Sequence, residues 1–314
     1  MNIAVIAALV ACLAFAAAGP HLARVLPPPA TVRLLVPAAL LAAAGGVFAL
    51  GTVAFTWLGQ ATEVARFVTW SPQRLHALNP IPPAVGIAAA ALLMAAAGWT
   101  LRSLGRTIRA LWVAHRTGRH LDDHRGSPVV VVDSPDLQAF TLPGISGRIV
   151  VTTGMLAALN PDGRRVLLAH EQSHRTHRHT WWTLAADLAA AVNPLLRPTA
   201  AAVRHATERW ADEDAATTAD RRRVAATIAQ VALLRTHPPA PAAVAAATGG
   251  QVPQRVQALL RPPPRIQARH VGVLAALVLA VLLGAFAVQR TGETLFEHAK
   301  QPAATWNVAS APTR

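Results

Sequence analysis

His170-Glu171-Gln172-Ser173-His174 sets two histidines one helical turn apart, with a glutamate beside the first. On a helix, positions i and i+4 share a face, so both imidazoles can reach one metal ion. Glu171 then stands where it can polarise a water on that ion. The flanking residues predict the helix this needs. Asn160 is its cap, Pro161 its first residue and Asp162 an acid in its first turn, and apolar Val166, Leu167 and Ala169 lead into the motif.

Upstream of that helix, Val129 to Val132 reads as a buried strand, closed by the turn Asp133-Ser134-Pro135-Asp136. Ala139 to Leu142 and Arg148 to Thr153 are two more strands, around Pro143-Gly144. Downstream, Trp181 to Val192 is an apolar helix too short to cross a bilayer, which belongs either to a core or against the membrane. Asn193-Pro194 ends it, and Leu195 to about Thr218 is the next helix. Thr236 to Pro241 is a Pro-rich loop.

Composition places these elements beside a membrane. Hydrophobic residues make up 53% of the 314 and charged residues only 14%, against roughly 25% charged in soluble domains. Four uncharged runs predict transmembrane helices at about 3–18, 34–58, 85–101 and 271–288, three N-terminal and one C-terminal. Ile3 to Ala18 also resembles a signal peptide, and Leu9 to Cys12 a lipoprotein cleavage box. The missing basic n-region and the apolar residues after Cys12 favour a retained span. Cys12 is the one cysteine, so intrachain disulfides and Cys-based zinc sites are excluded.

Arginine sets the topology. The formal charge is +14, and 102–270 holds 22 of the 29 basic and 12 of the 15 acidic residues. The positive-inside rule therefore puts 102–270 in the cytoplasm, beneath an inner membrane, and leaves 289–314 as a short extracytoplasmic tail. Membrane topology accounts for the basic charge, and no stacking aromatics or motif points to direct nucleic-acid binding.

Catalytic zinc needs three protein ligands and an open position. His177 shares the helix face of His170 and His174, but lies roughly 10 Å from His170 along the axis at about 1.5 Å per residue. Glu208-Arg209-Trp210-Ala211-Asp212 offers two carboxylates at i and i+4, with Glu208 as the third ligand. Asp212 could accept a hydrogen bond from the outer ring N–H of a zinc histidine and fix its tautomer. Taken alone, the segment also reads as a solvated acidic face, since Glu213 and Asp214 adjoin it. Beside HExxH and an intervening Asn-Pro turn, the ligand reading prevails.

HEQSH followed by a helix break and ERWAD resembles the gluzincin pattern of integral-membrane zinc metallopeptidases. Two related families share it: the HtpX and CAAX-processing type, and the protease portion of β-lactam sensor-transducers. Three further stretches resemble the second family: 139–156, Asn193-Pro194-Leu195-Leu196 and Arg255-Val256-Gln257-Ala258-Leu259-Leu260. The resemblance implies a mainly α membrane protein whose cytoplasmic α+β zincin-like domain, 102–270, carries a small β-sheet. It implies Zn2+ on His170, His174 and Glu208, with Glu171 as the catalytic base and Asp212 behind a ligand. The sensor-transducers carry a penicillin-binding domain after the last span. Only about 25 residues follow Val288 here, so β-lactam sensing is not expected.

The expected activity is a zinc endopeptidase acting on a cytoplasmic or membrane-proximal protein. The resemblance implies a penicillinase-repressor-type transcription factor as partner in a signalling pathway, and no particular oligomeric state. Membrane-protein quality control is the alternative, and a non-catalytic transducer with a structural zinc site a third. A substrate strand is expected on the edge 139–143. A donor to the oxyanion cannot be tyrosine, since there is none. His179 and His205 are open candidates.

Overall fold

The computed structural model describes residues 1–120, 127–142, 147–235 and 251–300. The loop expected at Thr236 to Pro241 and Pro143-Gly144 lie outside the described residues. The chain runs α1 (Asn2–Val25), α2 (Pro28–Gly59), α3 (Pro72–Leu78), α4 (Pro83–His120), β1 (Val129–Val132), β2 (Ala139–Leu142) and β3 (Arg148–Thr152). It continues through α5 (Thr153–Ala158), α6 (Pro161–Thr176), α7 (His179–Val192), α8 (Arg197–Ala215), α9 (Arg221–Arg235), α10 (Gln251–Leu259) and α11 (Ala268–Ala299). The fold is mainly helical with one small sheet.

Among the described residues four helices are long and apolar enough to cross a membrane: α1, α2, Pro83–Ala114 of α4, and α11. They extend past the apolar runs. Gly19-Pro20 does not end α1, which continues to Val25 with Pro20 inside it. A proline there forfeits one helical hydrogen bond, and burial of Leu22 and Ala23 on the following turn holds the helix together. At one end of the bundle, Trp70 stacks edge-on against Phe55 and Phe296. Ser71 N–H donates to the Ala299 carbonyl at 2.8 Å, closing the α2–α4 connection onto the end of α11.

β3 is central, parallel to β1 and antiparallel to β2. Local chemistry starts the next two helices: α5, which begins at Thr153 where the sequence reads as strand, and α6, which begins at Pro161 as expected. Thr152 Oγ1 accepts from Met155 N–H at 3.2 Å and Asn160 Oδ1 from Gly163 N–H at 2.7 Å, with Pro161 at N1. α6 lies on the sheet through Leu167, which packs with Ala139, Val151, Met155 and Leu159.

α7 and α8 form a hairpin around Asn193, whose Oδ1 accepts from Leu195 N–H at 3.1 Å. The choice left open for the apolar helix resolves as core. Ala186, Ala189, Leu196 and Val203 share one buried cluster with Phe15 of α1, Leu35 and Val36 of α2, and Val281 of α11. The hairpin runs beside α2. Trp210 of α8 lies under Arg33, with the guanidinium 4.7 Å from the ring centroid. Asn193 Nδ2 comes within 3.9 Å of where a Cβ on Gly46 would stand. Arg33 and Gly46 are about 20 Å apart along a helix axis, so the hairpin covers roughly half of α2.

Gly19 allows this docking. A Cβ there would stand 2.5 Å from Thr199 Oγ1, which is buried and has no hydrogen-bond partner. Gly19→Ala should destabilise the protein by about 1–3 kcal/mol through overpacking. Adding Thr199→Ala, which removes that oxygen, should recover most of the loss. Thermal unfolding of both variants in detergent measures the effect, and a Gly19→Ala protein as stable as wild type would show that the contact is not tight.

Candidate metal centre

α6 carries His170 and His174 on one face, one turn apart, and α8 brings Glu208 against them. His170 Nε2 and His174 Nε2 are 3.2 Å apart. Glu208 Oε2 is 3.7 Å from His170 Nε2, and Oε1 is 3.5 Å from His174 Nε2. Donors about 2.0–2.1 Å from one tetrahedral zinc lie about 3.3 Å from each other. The triangle therefore fits zinc, and one nitrogen or oxygen from each residue lies within 4.8 Å of the others. Two imidazoles and a carboxylate are also the donor types zinc accepts.

Each histidine is held from behind. His170 Nδ1 is 3.0 Å from Asp212 Oδ1, and Asp212 is 2% exposed. His174 Nδ1 is 2.9 Å from His179 Nδ1. His179, 2% exposed, is kept neutral: burial first, then the His174, His177 and His170 rings, push it down to about 2. A neutral His179 with its proton on Nε2 accepts from His174 Nδ1–H, leaving His174 Nε2 as a free ligand lone pair. His179 thus backs a ligand and is not placed as an oxyanion donor. His205 does not line the cavity described below either, and its Nδ1 is buried without a partner.

Electrostatics favours a cation between these groups. Burial drags His170 down, yet the Asp212 hydrogen bond and the Asp212 and Glu208 charges hold it above the ordinary histidine range. The carboxylates that favour a proton on His170 also favour a metal there. Burial of His174, and then the His170 charge, hold it below that range.

Arg255 of α10 is a part of the centre that sequence reasoning missed. Its Nε and Nη2 donate to Asp212 Oδ2 and Oδ1 at 2.7 and 2.6 Å, and Nη1 lies 2.9 Å from Glu208 Oε2. Burial acts to raise Asp212, but hydrogen bonds and charge from Arg255 and His170 hold it below the usual carboxylate range. The signal was an arginine on the Val252, Val256, Leu259 stripe of α10, where an apolar residue is expected. Glu171, Glu208 and Asp212 against Arg255 leave two negative charges, which a divalent ion would balance.

The other nearby acids are occupied. Asp214 Oδ2 takes Ser173 Oγ at 2.6 Å and faces His177 Nε2 at 3.0 Å. Glu213 pairs with Arg221, whose Nη2 is 3.0 Å from Oε1. The acidic run of α8 is therefore internal wiring, and not a solvated face. His177 stacks on Trp210 at 4.4 Å, outside the donor triangle.

Glu171 is 8% exposed and opens with the donors onto a cavity of about 990 Å3. Its walls are β2 and apolar residues of α9 and α10, including Val224, Ile228, Val231 and Val256. Thr141 Oγ1 is 2.9 Å from Glu171 Oε2 and 3.0 Å from the Glu171 carbonyl. In β2, Phe140 and Leu142 exchange ladder bonds with β3, as the Thr152 N–H bond to the Gln138 carbonyl sets the alternation. The N–H and C=O of Ala139 and Thr141 therefore point away from β3, to an edge that no other strand pairs among the described residues. Arg235 Nη2 already donates to the Ala139 carbonyl at 3.2 Å.

Residues 106–193 match Peptidase family M48. The match covers the sheet, α6 and α7 and stops before Glu208, whose place in the centre rests on the geometry above. No curated protein and no solved structure matches the chain. The match and the four apolar helices support a membrane-associated metallopeptidase.

Glu208→Ala should empty the centre of zinc as measured by metal analysis of the purified protein. Arg255→Met leaves all three donors but frees Glu208 and Asp212 from their clamp. It should weaken zinc roughly 10–100-fold in chelator competition. Wild-type affinity in that variant would show Arg255 to be irrelevant to the metal.

Proposed function

We propose that the chain is a zinc endopeptidase that hydrolyses an extended segment of a cytoplasmic or membrane-proximal protein. The observation that carries the reading is Glu171: a buried carboxylate on the cavity shared by three metal donors and a free strand edge. A purely structural zinc site needs no such carboxylate, which disfavours the non-catalytic transducer.

Zinc held by His170, His174 and Glu208 would supply Lewis acidity toward water and the scissile carbonyl. Thr141 N–H and C=O take the substrate backbone as an added antiparallel strand. The Thr141 hydroxyl donates to Glu171 Oε2 and holds that carboxylate in one orientation. Glu171 accepts the proton of the attacking water and passes it to the leaving amine, so its oxygen carries the proton between the two steps. The apolar walls exclude bulk water and strengthen each of these charge interactions.

The orientation that sets 102–270 inside the inner membrane follows from the arginine distribution. It makes cytoplasmic segments the accessible substrates. Among them, a penicillinase-repressor-type factor is the specific candidate supplied by the resemblance of 139–156, Asn193 to Leu196 and Arg255 to Leu260 to the sensor-transducer family.

Glu171→Gln should abolish cleavage of such a repressor while zinc content and thermal stability stay at wild-type levels. Undiminished proteolysis would falsify the reading. Thr141→Val keeps the strand edge but removes the donor to Glu171. At about 1.5–3 kcal/mol for a hydrogen bond to a charged group, kcat should fall roughly 10- to 150-fold. An unchanged kcat would show that Glu171 needs no such orientation.

A further inference from the structure

We propose that an anionic phospholipid binds in a cleft between α2 and the α6–α7 turn, its headgroup phosphate held by Arg33 and Arg178. The cleft, about 610 Å3, lies on the α2 side of the zinc helix and is lined by Arg33, His177, Arg178, Trp181, Trp182 and Trp210. Both arginines are exposed. Among the described residues neither has a carboxylate at ion-pair distance, whereas Arg204, Arg221, Arg223 and Arg255 all do. Two guanidinium forks without an acidic partner converge on one hollow, and their geometry suits phosphate oxygens.

The placement favours a lipid as the source. Arg33 immediately precedes the uncharged run Leu34 to Leu58, at the boundary between the apolar and aqueous parts of α2. Trp181 and Trp182 begin α7, whose later turns are buried against the membrane helices. Tryptophan at that boundary sits at headgroup depth, and basic pockets between membrane helices take anionic headgroups. Arg178 is the one non-glycine among the described residues with positive φ, at 53°. That conformation costs roughly 1–2 kcal/mol and ends α6 so that the Arg178 side chain lines the cleft.

The cleft is joined to the metal centre. Trp210 lies between Arg33, at 4.7 Å, and His177, at 4.4 Å. It stands on α8 midway in sequence between Glu208 and Asp212, and His177 Nε2 lies 3.0 Å from Asp214 Oδ2 of the same helix. A headgroup that fixes Arg33 therefore steadies the stack behind the helix that carries the third metal donor. The binding claim is independent of the peptidase reading; only an effect on cleavage would rest on it.

Native mass spectrometry of the full chain in detergent, titrated with phosphatidylglycerol or phosphatidylcholine, tests the site. Wild type should retain one phosphatidylglycerol in preference to phosphatidylcholine. The pair Arg33→Gln and Arg178→Gln should bind it at least tenfold more weakly, at roughly fivefold per arginine. The pair Arg265→Gln and Arg269→Gln, basic residues away from the cleft, should bind it as wild type does. Arg33→Lys with Arg178→Lys keeps the charge and should keep most of the lipid, so a loss confined to the glutamine pair reports charge and not misfolding. Equal retention by the glutamine pair, or equal loss in the lysine pair, would overturn the proposal. Displacement of the lipid by inorganic phosphate or a polyglutamate peptide at comparable concentration would likewise reject a lipid as its occupant.

Discussion

The ion pair between Arg255 and the carboxylates of Glu208 and Asp212 is the interaction that the metal centre depends on. Three acids stand around two histidines at the wall of a half-open cavity, with Glu171 and Asp212 buried, an arrangement that desolvation and mutual repulsion oppose. Asp212 can stay ionised at 2% exposure because hydrogen bonds and charge contacts reach it from Arg255 and His170. Removing one partner of a buried pair typically costs about 3–5 kcal/mol, more than most single packing contacts contribute. The pair also fixes chain order. It brings α10 back against α8, and Arg221 reinforces that closure by bonding Glu213 together with the carbonyls of Ala258, Leu259 and Arg261.

Much of this was legible where chemistry is local. The spacing of His170 and His174 places both rings on one face, and Asn160-Pro161 starts the helix that carries them. Glu208 was found through its partner at i+4, a periodicity any helix displays. The strands 129–132 and 139–142 were readable because β-branched and apolar residues lie between strong turn signals. Arg255 was not legible as a functional residue, since its partner lies 43 positions earlier and no periodic pattern connects them. The contact of His179 with His174 was not legible for the same reason. A buried histidine and a surface histidine look alike in sequence, and only the packing of α7 turns its ring onto His174. Thr141 is a third case: its hydroxyl matters because the sheet lies across α6, a relation between elements and not within one.

The membrane helices take part in building the centre. α6 rests on the sheet through Leu167, whereas α8 is packed through Ala200, Val203 and Trp210 into the same core as Phe15, Leu35 and Val281. The two halves of the donor set therefore have different supports: a small sheet for the histidines, and the membrane bundle for the glutamate. A displacement of α2 bears directly on α8, through Arg33 and Trp210. This is why a reading of HEQSH alone, however specific, describes half of a device.

Such divided support would make a bound metal part of the fold. His170 and His174 of α6 lie 3.2 Å apart and 3.5–3.7 Å from Glu208 of α8, so a cation bound among them would add a link between the two helices. A ligand that binds only the assembled state stabilises that state by RT ln(1 + [L]/Kd), and a tightly held divalent ion can contribute several kcal/mol by this route. Arg255 supplies charge compensation of its own, by neutralising one of the three acids. Arg255 ties α10 to α8 through Glu208 and Asp212, and a divalent ion on His170, His174 and Glu208 would tie α6 to α8 in a comparable way.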